Sequence, residues 1–234
     1  MSTAPLLVLD LDGTIAETAG DLIGTLNTIL MRDGLSPLTV AEGRMLVGAG
    51  AKALIERGFA VNKAPLAAER LEALFEEFLV MYEARIAEES TLFPGLLAAL
   101  DQFEVAGWRL AVCTNKVESA SVKLLAALGV AERFAAICGR DTFTIDGADV
   151  FKPDARALFM TIERAGGDPS ACVMVGDSRT DIQTAKNAGI PVVAVDFGYT
   201  DVHVSQLDPD VVISHFDDLW SAVAGLREKT TATA

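Results

Sequence analysis

Six short apolar runs, separated over most of the chain by helical patterns, limit the possible folds more than any other feature. They are Leu6–Leu9, residues 110–113, 135–138 and 172–175, Val192–Val195 and Val211–Ile213. All are brief, partly rich in Val and Ile, and without clean polar alternation, as strands covered on both faces must be. Residues 117–128, 154–165 and 180–188 carry helical periodicity between them. Gly129 and Gly189 end two of these helices, and Pro153 and Pro191 punctuate the joins. Alternating strand and helix predicts an α/β fold with a doubly wound, parallel, Rossmann-like sheet.

Residues 17–90 break the rhythm, with helical periodicity and no convincing strand. Leu22, Ile23, Leu26, Ile29 and Leu30 line one face of a first helix, and Leu71, Leu74, Phe75, Phe78, Leu79 and Tyr82 a face of a later one. Pro94-Gly95 marks the return to the α/β pattern. The expectation is a helical cap domain, 17–90, inserted into a discontinuous α/β core domain of residues 1–16 and 91–234. Insertion after the first strand places the cap over the end of the sheet where such folds bind ligands. The crossings near 15–18 and 91–94 are the expected hinge, and the polar tail 228–234 is expected to fray.

A chain of 234 residues, 51% of them hydrophobic, can bury a full core. Its net charge of −14 is spread without blocks and repels nucleic acid and anionic membrane, so neither is an expected partner. Any phosphate site on such a chain must bring its own positive charge. Cys113, Cys138 and Cys172 form no CxxC pair and sit in strand-like runs, which reads as buried thiols in a reducing compartment. No apolar stretch approaches the roughly 18 residues of a membrane span, and no basic n-region of a signal peptide is present. A cytoplasmic monomer or homodimer is expected.

The first strand runs straight into Asp10-Leu11-Asp12-Gly13-Thr14. Residues two apart on extended backbone point the same way, so Asp10 and Asp12 leave the strand as neighbouring carboxylates. Gly13 lets the chain turn sharply. Alone, such a pair reads equally well as an acidic turn cap. A second acidic pair, Asp177 and Asp181, follows the run 172–175 at a helix start. A routine N-cap explains one of these two residues. It does not explain acidic clusters at two strand ends that a parallel sheet brings together. Converging carboxylates suit a hard divalent cation, Mg²⁺ above all. Thr114-Asn115-Lys116 offers a hydroxyl and backbone N–H groups at another helix start, and Lys152 supplies a charge to hold a phosphoryl group.

These motifs, in this order, resemble those of the haloacid dehalogenase superfamily, and specifically its phosphatases. The resemblance runs through Asp10-Leu11-Asp12-Gly13-Thr14, Thr114, Lys152 and Gly176-Asp177 with Asp181, across nearly the whole chain. It implies that Asp10 attacks phosphorus and forms an aspartyl-phosphate, while Asp12 acts as general acid and then general base. It implies Mg²⁺ held by Asp10, the Asp12 carbonyl and Asp177 with Asp181 supporting, and phosphoryl oxygens bound by Thr114, Asn115 and Lys152. The expected partner is a small phosphorylated metabolite.

Dehalogenases of the superfamily lack the second aspartate, and its sugar phosphomutases often carry Val where this chain has Thr14; both points favour a phosphatase. Thr114-Asn115-Lys116 and the segment Arg44-Met45-Leu46-Val47-Gly48-Ala49-Gly50 look like the phosphoglycolate phosphatase branch. Arg44, Gly50 and Lys52 are then candidates to receive a substrate carboxylate; for Arg44 and Lys52 the plainer reading is a solvated helix face. The alternatives are a sugar phosphate, nucleotide or pyrophosphate as substrate, a phosphomutase, or a silent phosphate- or metal-binding module. Gly48-Ala49-Gly50-Ala51-Lys52-Ala53 satisfies a loose dinucleotide fingerprint, but no strand precedes it. His203 and His215 are isolated, which argues against a zinc site.

Overall fold

All four residues of Leu6–Leu9 are fully buried, which requires cover on both faces of their strand. The computed structural model describes residues 4–48, 50–200 and 202–232. In chain order its strands are β1 (Leu6–Leu9), β2 (Ala16–Glu17), β3 (Thr91–Leu92), β4 (Arg109–Cys113) and β5 (Ala136–Cys138). They continue as β6 (Thr144–Ile145), β7 (Ala148–Asp149), β8 (Cys172–Gly176), β9 (Val192–Val195) and β10 (Val211–Ile213). The helices are α1 (Ala19–Arg32), α2 (Val40–Arg44), α3 (Ala51–Val61), α4 (Ala68–Ala84) and α5 (Leu96–Val105). After them come α6 (Glu118–Ala127), α7 (Ala155–Arg164), α8 (Arg179–Ala188) and α9 (Leu219–Ala232).

Six strands form one parallel sheet in the order β10-β9-β8-β1-β4-β5. Leu6 of β1 stands opposite Arg109 of β4 on one side and Cys172 of β8 on the other. Later strands are therefore added in both directions from β1, and ligands of open α/β sheets bind at the carboxyl ends of strands at such a switch point. Alternation sends Leu7 and Leu9 into a core shared with α5 and α9, and Leu6 and Val8 into one shared with α7 and α8. The predicted strands and helices appear, displaced by a residue or so at several ends. Leu219, Val223 and Leu226 recur at helical spacing and seat α9 in the core, and the helix runs on into the polar tail as far as Ala232. Thr233 and Ala234 lie outside the described residues.

Helices α1–α4 enclose a third core, built on Leu22, Ile23, Leu26, Ile29, Leu30, Leu74, Phe75, Phe78 and Tyr82. Leu71 and Leu79 are only partly buried, so the apolar face of α4 is narrower than its sequence implies. The same core takes in Val117, Ala120 and Tyr199, joining the helical layer to the sheet layer. The two connecting segments pair with each other: β2 and β3 form an antiparallel ladder, Ala16 opposite Leu92 and Glu17 opposite Thr91. Buried Asp21 of α1 accepts hydrogen bonds from Ser90 N at 2.9 Å and Ser90 Oγ at 2.6 Å, tying the outgoing crossing to the returning one. No helix among the described residues is long and apolar enough to cross a membrane.

Candidate active site

Asp10 stands where β1 stops, and its N–H still donates to the Val175 carbonyl at 2.9 Å, extending the ladder with β8. The chain then folds back on the Leu11 carbonyl, which accepts from the N–H groups of Ile15 and Ala16 at 3.0 Å each. Gly13 has φ +87°, and a Cβ there would run into the Asp177 carboxylate and the Tyr199 ring. Glycine is thus needed both for the turn and for the close approach of the two acidic loops. On the β8 side, Ser178 and Asp181 cap α8 reciprocally: Asp181 Oδ2 accepts from Ser178 N at 3.0 Å and Ser178 Oγ at 2.6 Å.

Asp10, Asp177 and Asp181 converge behind the end of β1, all buried, with one oxygen from each within 4.8 Å of the others. Lys152, 2% exposed, lies among them, with Nζ 2.9 Å from Asp10 Oδ1 and 2.5 Å from Asp181 Oδ1. Among the described residues, Asp10 Oδ1 is held by the ion pair with Lys152 alone. Asp177 Oδ1 accepts from Thr14 Oγ1 at 2.9 Å, and its Oδ2 accepts from Tyr199 N at 2.6 Å. Three carboxylates thus face one ammonium. Burial, then the charge of Asp181, pushes Asp10 up to about 6 against the pull of Lys152. Burial, then Asp181 and Asp10, holds Asp177 well above the usual carboxylate range. Burial alone would depress the Lys152 ammonium, but the carboxylates of Asp10 and Asp181 outweigh it and raise its pKa. Excess buried negative charge and an all-oxygen donor set fit a hard metal ion.

A cleft of about 590 Å³, counting the part open to solvent, lies between this strand end and the helical layer. Asp10, Asp12, Thr114, Asn115 and Lys116 form its sheet-side wall. Lys116 Nζ meets both oxygens of Asp12, at 3.1 and 3.3 Å, and Thr18 Oγ1 donates to Asp12 Oδ1 at 2.8 Å. The Asn115 side chain donates to the Lys152 carbonyl at 3.0 Å, so it braces the lysine loop.

The sequence-predicted residues separate into groups. Asp10, Asp12, Thr114, Asn115 and Gly50 line the cleft, whereas Lys152, Asp177 and Asp181 do not and lie behind its floor. Arg44 and Lys52, expected to face a substrate, are absent from its lining as well. Arg44 is ion-paired with Glu17, donates to the Phe197 carbonyl at 3.0 Å and stacks over Tyr199. Lys52 pairs with Glu72 at 2.7 Å and lies over the Phe75 ring. Ala49 lies outside the described residues. The three cysteines are buried and free, and burial pushes Cys113 up to about 11 and Cys172 up to about 12, so neither is a nucleophile near neutrality. His203 and His215 are exposed; each ring accepts an N–H two residues on, from Ser205 and Asp217.

Two contributors escape sequence reasoning. Tyr199 fixes Asp177 through its N–H, and its hydroxyl accepts from Thr18 N at 2.6 Å and Ala19 N at 3.0 Å while donating to Glu17. It follows the carboxyl end of β9, a position where a parallel sheet presents functional groups, and that was the available signal. Tyr82 reads in the sequence as one more apolar position of α4, yet it is a lining residue of the cleft with a buried hydroxyl.

A parallel sheet whose central strand ends in two aspartates, backed by a buried lysine and two further aspartates, defines a hydrolase of the α/β type. The family model for haloacid dehalogenase-like hydrolases matches residues 7–195, and the chain belongs to that family. It is 48% identical over 215 residues to the phosphoglycolate phosphatase of Mesorhizobium japonicum, covering 92% of each chain. It is 45% identical over 220 residues to that of Agrobacterium fabrum, covering 94% of this chain and 92% of the relative. Among solved structures, a predicted phosphoglycolate phosphatase from Haemophilus somnus superposes with a TM-score of 0.82 at 25% identity, over 94% of this chain and 98% of that one. CbbY from Rhodobacter sphaeroides, in complex with phosphate, does so with a TM-score of 0.76 at 25% identity, over 92% of this chain and 96% of that one.

Proposed function

We propose that this hydrolase is a Mg²⁺-dependent phosphatase of the cytoplasm that cleaves 2-phosphoglycolate through an aspartyl-phosphate on Asp10. The observation that carries the reading is the pairing of Asp10 and Asp12 on the cleft wall with Lys152 directly behind Asp10. The names of the curated relatives supply the substrate. Asp10, the Asp12 carbonyl and Asp177 would hold Mg²⁺, with Asp181 supporting. The ion would offset the negative charge of the phosphoryl group beside the carboxylates.

In the first step a carboxylate oxygen of Asp10 bonds to phosphorus and the P–O ester bond breaks. Asp12 gives its proton to the departing alkoxide, releasing glycolate. Asp12 then takes a proton from water as that water bonds to phosphorus and the P–O bond to Asp10 breaks, so phosphate leaves, Asp10 is again a carboxylate and Asp12 again carries its proton. Thr114 and the backbone at Asn115 receive phosphoryl oxygens. Lys152 acts from behind: it keeps Asp10 in place and leaves less negative charge for the phosphate to meet. Asp181 holds Lys152 and caps α8 at once. Residues 17–90 serve as a cap over the core of residues 1–16 and 91–234, closing an apolar roof on a small substrate and excluding water.

The test is phosphate release from a panel led by 2-phosphoglycolate, with sugar phosphates, nucleotides and pyrophosphate, with and without Mg²⁺. Release that needs Mg²⁺, is fastest on 2-phosphoglycolate and vanishes in Asp10→Asn is the expected result. Release that survives in Asp10→Asn would remove the covalent mechanism, and a different preferred ester would rename the substrate.

A further inference from the structure

We infer that Lys116 and the Tyr82 hydroxyl together seat the carboxylate of the substrate, and so decide which phosphate esters the cleft accepts. This rests on the phosphatase reading above, and it assigns the specificity role to groups other than Arg44 and Lys52.

The helical wall of the cleft is made of Leu22, Leu54, Phe75, Phe78 and Leu79, with Tyr82 beside them. Tyr82 is 1% exposed and its ring stacks on Phe78 at 6.0 Å. The Lys116 ammonium donates to its oxygen, and the hydroxyl's own proton meets no acceptor among the described residues. Buried polar groups in folded proteins are almost always paired. A phenol proton left without an acceptor at the wall of a cleft therefore points to an acceptor that arrives with the ligand.

The neighbouring cation is in place to share that partner. Lys116 Nζ lies 4.3 Å from the centre of the Tyr82 ring and holds Asp12 at 3.1 and 3.3 Å. An ammonium has three N–H donors, and the Asp12 carboxylate with the Tyr82 oxygen does not exhaust them. The connectivity of the substrate supplies the last constraint. In 2-phosphoglycolate a single methylene separates the ester oxygen from the carboxyl carbon. Asp12 must reach that ester oxygen to protonate it, so the substrate carboxylate comes to rest a few ångströms from Asp12. The cation that touches Asp12 is Lys116. Arg140 also lines the cleft, with its guanidinium over the Phe151 ring, and is the rival cation that the test must separate from Lys116.

The test compares 2-phosphoglycolate with ethyl phosphate, an ester of similar size without the carboxylate. In Tyr82→Phe the ratio of kcat/KM for the two esters should fall about 10- to 100-fold, chiefly through the KM for 2-phosphoglycolate, the usual effect of losing one hydrogen bond to a charged group. Lys116→Gln should lower the ratio at least as far. Binding of both esters to Asp10→Asn and to Asp10→Asn/Tyr82→Phe, measured by calorimetry, reads the seat without turnover. The added substitution should raise the Kd for 2-phosphoglycolate about tenfold or more, and that for ethyl phosphate far less. Equal affinities with and without the Tyr82 hydroxyl, or a ratio that falls only in Arg140→Gln, would overturn the seat while leaving the phosphatase reading intact. Absence of hydrolysis by the wild type sinks the phosphatase reading instead, and the binding measurement still decides the seat.

Discussion

The two walls of the cleft are built on different principles. The sheet-side wall is crowded with charge that is already paired: Lys116 on Asp12, and behind them Lys152 on Asp10 and Asp181. The helical wall is apolar, with one hydroxyl on Tyr82 and the cations of its own helices turned elsewhere, Arg44 to Glu17 and Lys52 to Glu72. Charges placed at strand ends by a rigid parallel sheet can be held close without reorganisation, which suits the chemistry of phosphoryl transfer. Helices packed by apolar contact shape a volume and can change with little effect on the chemistry behind it. Reactivity and selectivity are thereby assigned to separate layers of the molecule.

Removing Lys152 is the severest test of that division. Lys152→Met leaves the buried carboxylates of Asp10 and Asp181 uncompensated, and losing one partner of a buried pair costs about 3–5 kcal/mol. Turnover should fall by at least about 100-fold, as when a preorganised charge is lost from an active site. Urea unfolding and phosphate release measure the two effects. A variant that unfolds at the wild-type midpoint would show that the core wall is not held by its charges.

Acidity and metal sharpen the same contrast. Asp10 is raised in the folded chain, from an ordinary value of 3.8 to about 6. The folded protein therefore keeps a proton that the unfolded chain has already released, and stability from this group falls as pH rises from about 4 to about 6 and stays low above that. Asp177 is raised too and acts in the same direction. A divalent cation favours the ionised carboxylates. Saturating Mg²⁺ should therefore raise Tm by about 5–10 °C at pH 7.5 and by much less at pH 4.5. A shift of equal size at both pH values would mean that Mg²⁺ binds somewhere other than this cluster.

What could be read in the sequence follows the same split. Asp10 and Asp12 were visible because strand alternation and a two-residue spacing are local facts, and Asp177 and Asp181 because they follow a second buried strand. Lys152 was legible only as a charge that a phosphate site on an acidic chain needs, since its burial arises from three loops that meet only in space. The helical wall was less accessible. Arg44 and Lys52 looked like free cations because their partners lie 27 and 20 residues away. Tyr82 looked like a core position because a hydroxyl proton without an acceptor is a property of the packed structure. The β6–β7 hairpin was overlooked even though Asp146-Gly147, both at positive φ, is a strong turn signal. Its two-residue strands are too short for periodicity to register.

The smallest effects separate two cations of the helical layer that look alike in sequence. Arg44 reaches across to the sheet layer: it pairs with Glu17, donates to the Phe197 carbonyl and covers Tyr199, whose N–H holds Asp177. Lys52 stays within the layer, on Glu72 and Phe75. Arg44→Gln should therefore loosen the docking of the cap and lower kcat/KM by several-fold, with the loss shared between kcat and KM as a hinge or closure defect predicts. Lys52→Gln removes a partly exposed pair of the kind that contributes at most about 1 kcal/mol, and should leave kcat/KM within about twofold. Steady-state kinetics on 2-phosphoglycolate for both variants decides the matter. If Lys52→Gln proves the more damaging, the helical wall takes part in substrate binding through its cations, and the separation of reactivity from selectivity between the two layers fails.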